Sequence, residues 1–244
     1  MPAGDRMTQF DKALLGLRSM ILSGEVEANS RLPEVQLSER FEISRTPLRK
    51  AMDLLVEEGL LERIETGGCR VASFTRSDIV DAIELRGVIE GTAARLAAER
   101  GASAADLAQC DRILDGIDAA LDAPGGLDFD RYVALNAQFH AMLATLSGSA
   151  VMRREVDRVT RLPLASPSAF LQGQDLIPDF RESLRRAQHQ HRALVAAIRG
   201  REGARAEALA REHARLARQN LDHVMKGDAR LHARVPGLAL VSAP

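Results

Sequence analysis

Four residues in the C-terminal half have the types and spacing of a metal centre. Asn136 and His140 are four apart, so on a helix both point from one face. His191 and His213 follow on two further stretches of helical pattern. Three imidazoles and one oxygen ligand, brought from three helices to one bundle interior, suit Zn²⁺ or a similar divalent cation. By residue type alone this signal is weak, because scattered histidines are usually surface or core residues. Arg86 is a second candidate. It interrupts a helical apolar pattern made by Ile79, Ala82, Ile83, Leu85, Ile89, Ala93 and Leu96. A buried guanidinium needs an anionic partner. Two kinds of partner fit: a small carboxylate ligand, or a structural bridge to Glu84, Glu90 or an acidic residue across the bundle.

The N-terminal half carries a different chemistry. In the stretch Ser44-Arg45-Thr46-Pro47-Leu48-Arg49-Lys50, Ser44 is a good N-cap type and Pro47 falls in a first helical turn, where a missing N–H costs little. Leu48, Met52, Leu55 and Val56 recur at helical spacing, and Arg45, Arg49 and Lys50 fall on or near the opposite face. Arginines beside a helix N-terminus suit phosphate oxygens and guanine edges in a major groove.

Composition bounds these readings. The 244 residues allow two ordinary domains, and a content of 45% hydrophobic residues lets each bury a core. Charge does not announce DNA binding: residues 1–75 hold ten Lys/Arg against twelve Asp/Glu, and the whole chain carries −1. A nucleic-acid interface would therefore rest on the placement of a few arginines rather than on bulk charge. Cys69 and Cys110 match no ligand spacing and read as reduced thiols of a cytoplasmic protein. No apolar run approaches a membrane span, and residues 1–10 lack a signal-peptide core, so no membrane partner is expected.

The elements that must position these groups follow from periodicity. Residues 8–22 predict an amphipathic helix stopped by Ser23-Gly24, a short helix is predicted over 34–41, and Glu42-Ile43 turns into the Ser44 helix, which ends at Glu58-Gly59. Two short strands, Leu60–Ile64 and Arg70–Ser73, flank Thr66-Gly67-Gly68, whose glycines suit a tight hairpin. Long helices are then predicted over about 78–99 (opened by Ser77 and Asp78), 103–121, 128–146, 150–162, 179–199 and 202–225, with a long loop at 163–177. Short turns between amphipathic helices argue an antiparallel bundle. The expected fold is mainly α: an N-terminal winged helix-turn-helix over 1–74, a C-terminal all-α antiparallel bundle over 75–227, and a tail over 228–244.

The segment RLPEVQLSERFEISRTPLRKAMDLLVEEGLLERIETGGCRV resembles the winged helix-turn-helix of the GntR superfamily of bacterial regulators, over about residues 8–73. That resemblance implies DNA contacts by Ser44, Arg45, Thr46 and Arg49 and by the wing glycine, Gly67 or Gly68. Relatives often carry an arginine near the position of Val35-Gln36, and none stands there. The strings ELRGVIEGTAARLAAER, LNAQFHAML, HQHRALVAAI and REHARLARQNL resemble the FCD ligand-binding domain of the FadR subfamily. LPLASPSAF, in the long loop, is similar to a string found in some of these regulators.

The second resemblance implies a homodimer, an effector pocket and often a divalent metal, here held by Asn136, His140, His191 and His213. Zinc is the expected ion, with manganese or nickel as alternatives. The first ligand of this domain is usually Asp. Asn136 would bring an oxygen but no charge, and metal would bind more weakly unless the effector adds a carboxylate. Together the two resemblances imply a cytoplasmic transcriptional regulator, a repressor. It would read a palindromic operator in double-stranded DNA under control of a small carboxylate effector near Arg86. Two alternatives remain at this stage: a metal-dependent hydrolase built on the bundle, and a metal-free acyl-CoA sensor.

Overall fold

The computed structural model describes residues 7–162, 164–169, 180–226 and 235–242. The chain forms two compact units, residues 1–78 with 236–244 and residues 79–235.

In the first unit, α1 (Gln9–Leu22) opens on a capping box: the Thr8 hydroxyl accepts from the Asp11 N–H while the Asp11 carboxylate accepts from Thr8. The helix ends at Ser23, and Gly24 follows with φ +75°. After α2 (Glu34–Phe41) the chain turns through Glu42, a non-glycine residue in the left-handed region at φ 52°, which costs roughly 1–2 kcal/mol. Ser38 ties the turn, its hydroxyl donating to the Ile43 carbonyl at 2.6 Å. Next comes α3 (Arg45–Glu57). Ser44 precedes it in extended conformation, but its side chain makes no capping bond, so its type identified the helix start without supplying a cap. Leu17 and Ile21 of α1 and Leu48, Met52 and Leu55 of α3 form the centre of the core. Glu58 is buried and paired by Arg18 at 2.9 and 2.7 Å, which offsets its desolvation. Strands β1 (Leu61–Arg63) and β2 (Cys69–Val71) pair antiparallel, Glu62 opposite Arg70, and make the wing.

The tail predicted from the sequence divides. Residues 227–234 lie outside the described residues, while 236–242 belong to the first unit. The Leu22 carbonyl accepts from the Gly237 N–H, Phe74 N–H donates to the Leu240 carbonyl, and Ser242 N–H donates to the Phe74 carbonyl. Leu240 is fully buried among the apolar side chains of this unit. Its truncation in Leu240→Ala should cost the unit about 2–5 kcal/mol, the usual range for a buried leucine. Amide hydrogen exchange in α1 of the full chain reads this directly: protection should fall, and unchanged protection would show that the segment does not support the core.

The second unit is helical. Helix α4 (Arg76–Arg100) starts two residues earlier than the predicted 78, because the cap is Thr75: its hydroxyl accepts from the Asp78 N–H, and the Asp78 carboxylate accepts from the Thr75 N–H at 2.7 Å. Then follow α5 (Ala104–Leu121), α6 (Phe129–Thr145), α7 (Ala150–Thr160), α8 (Phe180–Arg199) and α9 (Gly203–Lys226). The hydroxyls of Ser103 and Ser149 and the carboxylate of Asp128 cap α5, α7 and α6. Leu114 and Ile117 of α5, Phe139 and Leu143 of α6 and Leu194 and Ile198 of α8 share one core. The long loop predicted at 163–177 falls mostly outside the described residues, as do Pro163 and Phe170 of the LPLASPSAF string.

The buried face of α4 keeps Ile79, Ile83 and Ala93 of the predicted one, and the buried Arg86, but not Leu85. Leu85 and Val88 are 43% and 37% exposed, whereas Arg86 and Glu90 are 1% and 3% exposed. Glycines decide this. A β-carbon on Gly87 would stand 3.0 Å from the Ala214 β-carbon, and one on Gly91 would stand 3.1 Å from the Glu207 carbonyl. So α4 lies against α9 on its small-residue side, and the charged pair beside those glycines is carried inward. Cys69 and Cys110 are both buried and free, and burial pushes the Cys110 thiol up to about 11.

Candidate metal centre and nucleic-acid interface

Three helices bring the predicted histidines together. His140 comes from α6, His191 from α8 and His213 from α9, and all three are buried. Phe139 packs on the His191 ring, their centroids 4.4 Å apart. The ring nitrogens that face each other are all Nε2: His191 to His213 at 3.0 Å and His213 to His140 at 3.3 Å. Two nitrogens bound about 2.1 Å from one tetrahedral ion would stand roughly 3.4 Å apart, so the spacing fits a shared cation.

The outer nitrogens have oxygen neighbours. His191 Nδ1 lies 3.2 Å from Gln188 Oε1, and His213 Nδ1 lies 3.0 Å from Gln190 Oε1. The Gln188 amide is oriented without ambiguity. Its nitrogen lies 2.9 Å from the Leu114 carbonyl and 2.8 Å from Asp118 Oδ1, two groups that only accept. Gln188 Oε1 must then accept from His191 Nδ1–H, which leaves a lone pair on Nε2, facing inward. If His213 likewise carries its hydrogen on Nδ1, toward Gln190 Oε1, its Nε2 lone pair also faces inward, and the nitrogens can then share a cation. A proton is a poor candidate. Burial, then the neighbouring His213 and His140, holds His191 well below the ordinary histidine range, and burial with His140 lowers His213 to about 3. The donor set therefore fits a divalent ion.

Asn136 lies one turn before His140 on α6 and is 3% exposed. Its amide N–H donates to Ser168 Oγ at 3.3 Å. With Arg86, Tyr132, His213 and Asn220 it lines a cavity of about 30 Å³, room for about two waters or one carboxylate group. A second cavity of about 200 Å³ lies on the Ala137, His140 and Ala141 side, lined further by Thr160 and Ser168.

Arg86 combines both sequence readings. It faces Glu90, Nε to Oε2, at 3.7 Å, and its Nη2 reaches the Ala214 carbonyl at 3.4 Å. Its Nε and Nη1 are buried with no hydrogen-bond partner among the described residues. Each such group carries a desolvation cost of about 1–3 kcal/mol, which an entering anion would relieve. Sequence reasoning named Glu90 only as an alternative partner of Arg86. Its second contact, Oε1 to His140 Nδ1 at 3.3 Å, was not anticipated. Gln188 and Gln190 were not anticipated either. Gln188 was within reach, being three residues before His191 on one helix.

On the first unit, Ser44, Arg45, Thr46, Arg49 and Lys50 are all exposed along the start of α3. Arg49 donates to Glu34 Oε2 at 2.8 Å. At the wing tip Gly67 and Gly68 take φ +92° and +87°, a region that favours glycine, and the Gly67 N–H donates to the Ile64 carbonyl. Arg31, passed over in the sequence, braces this tip by donating to the Gly67 carbonyl at 2.8 Å. At the position where relatives often carry an arginine, Val35 is 50% exposed.

Comparison with known proteins agrees with both units. Residues 11–71 match the model of bacterial regulatory proteins of the gntR family, and residues 81–216 match the FCD domain. The chain is 28% identical to the HTH-type transcriptional repressor GlaR of Escherichia coli (strain K12), over 81% of this chain and 88% of that protein. It is 28% identical to the HTH-type transcriptional regulator YdhC of Bacillus subtilis (strain 168), over 60% of this chain and 64% of that protein, a little under two thirds of its length. The solved structure of E. coli McbR/YncC has the same fold, with a TM-score of 0.63 at 18% identity over 90% of this chain and 99% of that one. Family and relatives are regulators and not enzymes, so the hydrolase alternative falls. The chain belongs to the GntR family of bacterial regulatory proteins, with an FCD domain behind its winged helix-turn-helix, and is a transcriptional regulator.

Proposed function

We propose that this regulator is a cytoplasmic homodimeric repressor whose affinity for a palindromic operator is lowered by a small carboxylate effector bound beside a divalent metal. Asn136, His140, His191 and His213 hold the ion, with zinc the first expectation and manganese or nickel next. The ion supplies a Lewis-acidic anchor for an effector oxygen. Arg86 pairs with the effector carboxylate. Ser44, Arg45, Thr46 and Arg49 contact the DNA from the N-terminus of α3, and Gly67 or Gly68 lets the wing tip approach the backbone.

The observation that carries the effector site is the meeting of two features within the helical unit. Imidazole nitrogens from three helices lie 3.0 and 3.3 Å apart, close to the spacing of ligands on one tetrahedral ion. Arg86 has two buried nitrogens with no hydrogen-bond partner among the described residues. A metal suits the first and a carboxylate the second. The three converging histidines speak against a metal-free acyl-CoA sensor. Repression is the role of the relative GlaR, a transcriptional repressor. A twofold reader places one α3 on each half of a palindrome.

Thermal-shift screening of small carboxylates with and without Zn²⁺ tests this reading. Zn²⁺ alone should raise the melting temperature, and a fitting carboxylate should add to it only when the metal is present, because each ligand stabilises the folded state it binds. A carboxylate that acts equally in chelator would separate effector from metal and overturn the joint site.

A further inference from the structure

We propose that Glu90 is the positioning residue of the metal centre: it holds the proton of His140 on Nδ1 and supplies, one shell out, the negative charge that Asn136 lacks. The inference rests on the metal reading above and concerns a residue that the reading does not use.

The three histidines each turn an outer nitrogen to an oxygen, but the oxygens differ. His191 and His213 face the neutral amides of Gln188 and Gln190. His140 alone faces a carboxylate, with Glu90 Oε1 at 3.3 Å from its Nδ1. The approach lacks the alignment of a full hydrogen bond, and neither atom has such a partner elsewhere among the described residues. A carboxylate only accepts, so the contact is attractive when Nδ1 carries the hydrogen, and the Nε2 lone pair then faces His213 Nε2. A carboxylate behind a metal-bound imidazole fixes its tautomer and raises its basicity.

Charge gives the second reason. Three neutral imidazoles and the Asn136 amide leave a buried dication without compensation. Among the described residues, Glu90 is the acidic group that touches the cluster: it is 3% exposed and lies against both His140 and Arg86. The Gly87 and Gly91 contacts with α9 hold α4 close enough to deliver it. The guanidinium of Arg86 works against the ion, so the two members of this ion pair should act on metal affinity in opposite directions. An ordinary structural salt bridge would not do so, since breaking it from either side loosens the same packing.

The experiment uses the full chain and Zn²⁺ in competition with a chromophoric chelator. Glu90→Gln keeps an acceptor and loses the charge, and Zn²⁺ affinity should fall about 10-fold. Glu90→Leu loses both and should fall about 100-fold, within the range seen for outer-shell carboxylates. Arg86→Met, with Glu90 intact, should bind Zn²⁺ more tightly than wild type. Long-range ¹H–¹⁵N NMR of histidine-labelled wild-type protein should place the His140 proton on Nδ1 with and without Zn²⁺, and this needs no variant to fold. Three results would overturn the proposal: both Glu90 variants within twofold of a wild type that binds Zn²⁺, an equal loss in Arg86→Met and Glu90→Gln, or the His140 proton on Nε2. A wild type that takes up no Zn²⁺ is a different result, which removes the metal reading and this inference with it.

Discussion

In His140→Ala the protein should lose its divalent ion, falling from close to one per chain to none by elemental analysis. The mutation removes the imidazole that shares a helix face with Asn136, leaving two imidazoles and a neutral amide. No anionic protein ligand then remains to retain the ion. At a free metal concentration a thousand times its dissociation constant, the binding it abolishes contributes about 4 kcal/mol of stability. At about 2–4 °C per kcal/mol for chains of this size, the transition that Zn²⁺ raises should drop by about 8–16 °C. Asn136→Asp should act in the other direction, tightening the metal by placing an anionic oxygen on α6 one turn before His140. A chain that carries no metal after reconstitution with Zn²⁺, Mn²⁺ and Ni²⁺ in turn would end the idea. So would a His140→Ala protein that keeps its ion.

Arg45→Ala and Arg49→Ala should each abolish specific operator binding while leaving the winged unit folded. Both side chains are exposed at the start of α3. A good base contact is worth about 1–3 kcal/mol, and in a dimer the loss counts twice, so the expected fall is about 30-fold to 10⁴-fold. Stability should barely move. Arg49 loses an ion pair to Glu34 in which it is itself 63% exposed, and such pairs contribute about 0–1 kcal/mol. Fluorescence anisotropy on an operator selected from random duplexes measures the affinity, and thermal melting provides the folding control. Unchanged affinity in both variants would remove α3 as the reading helix. Loss without unfolding in only one of them would locate the base contact and assign the other arginine to phosphate.

The features legible in the sequence were those set locally. Apolar residues every three to four positions define a helix whatever lies across from it, which is why α1, α3 and α5 to α9 fall within a few residues of their predicted bounds. The glycines at 67 and 68 permit a left-handed backbone that other residues rarely adopt, so the wing could be read from them. Asn136 and His140 needed only one helix to share a face. Caps were less legible, because Ser44 has the right type but makes no bond, while Thr75 caps α4 ahead of the Ser77 and Asp78 expected to do so.

By itself, then, the sequence determined the order of elements and the exposed arginines of α3, and it named the three histidines that the fold brings together. The first two follow from spacing along a single helix or turn. Tertiary structure decided which face of α4 is buried. The apolar pattern placed Leu85 on that face, but close approach to α9 needs small residues, and Gly87 and Gly91 leave Leu85 exposed and carry Glu90 inward beside the expected Arg86. It also decided that the three inner nitrogens are all Nε2, that Gln190 on one helix faces His213 on the next, and that Leu240 completes a core begun at Ala13. Each of these joins residues from separate elements. Their meeting depends on helix packing distance and rotation, which periodicity along one element does not encode.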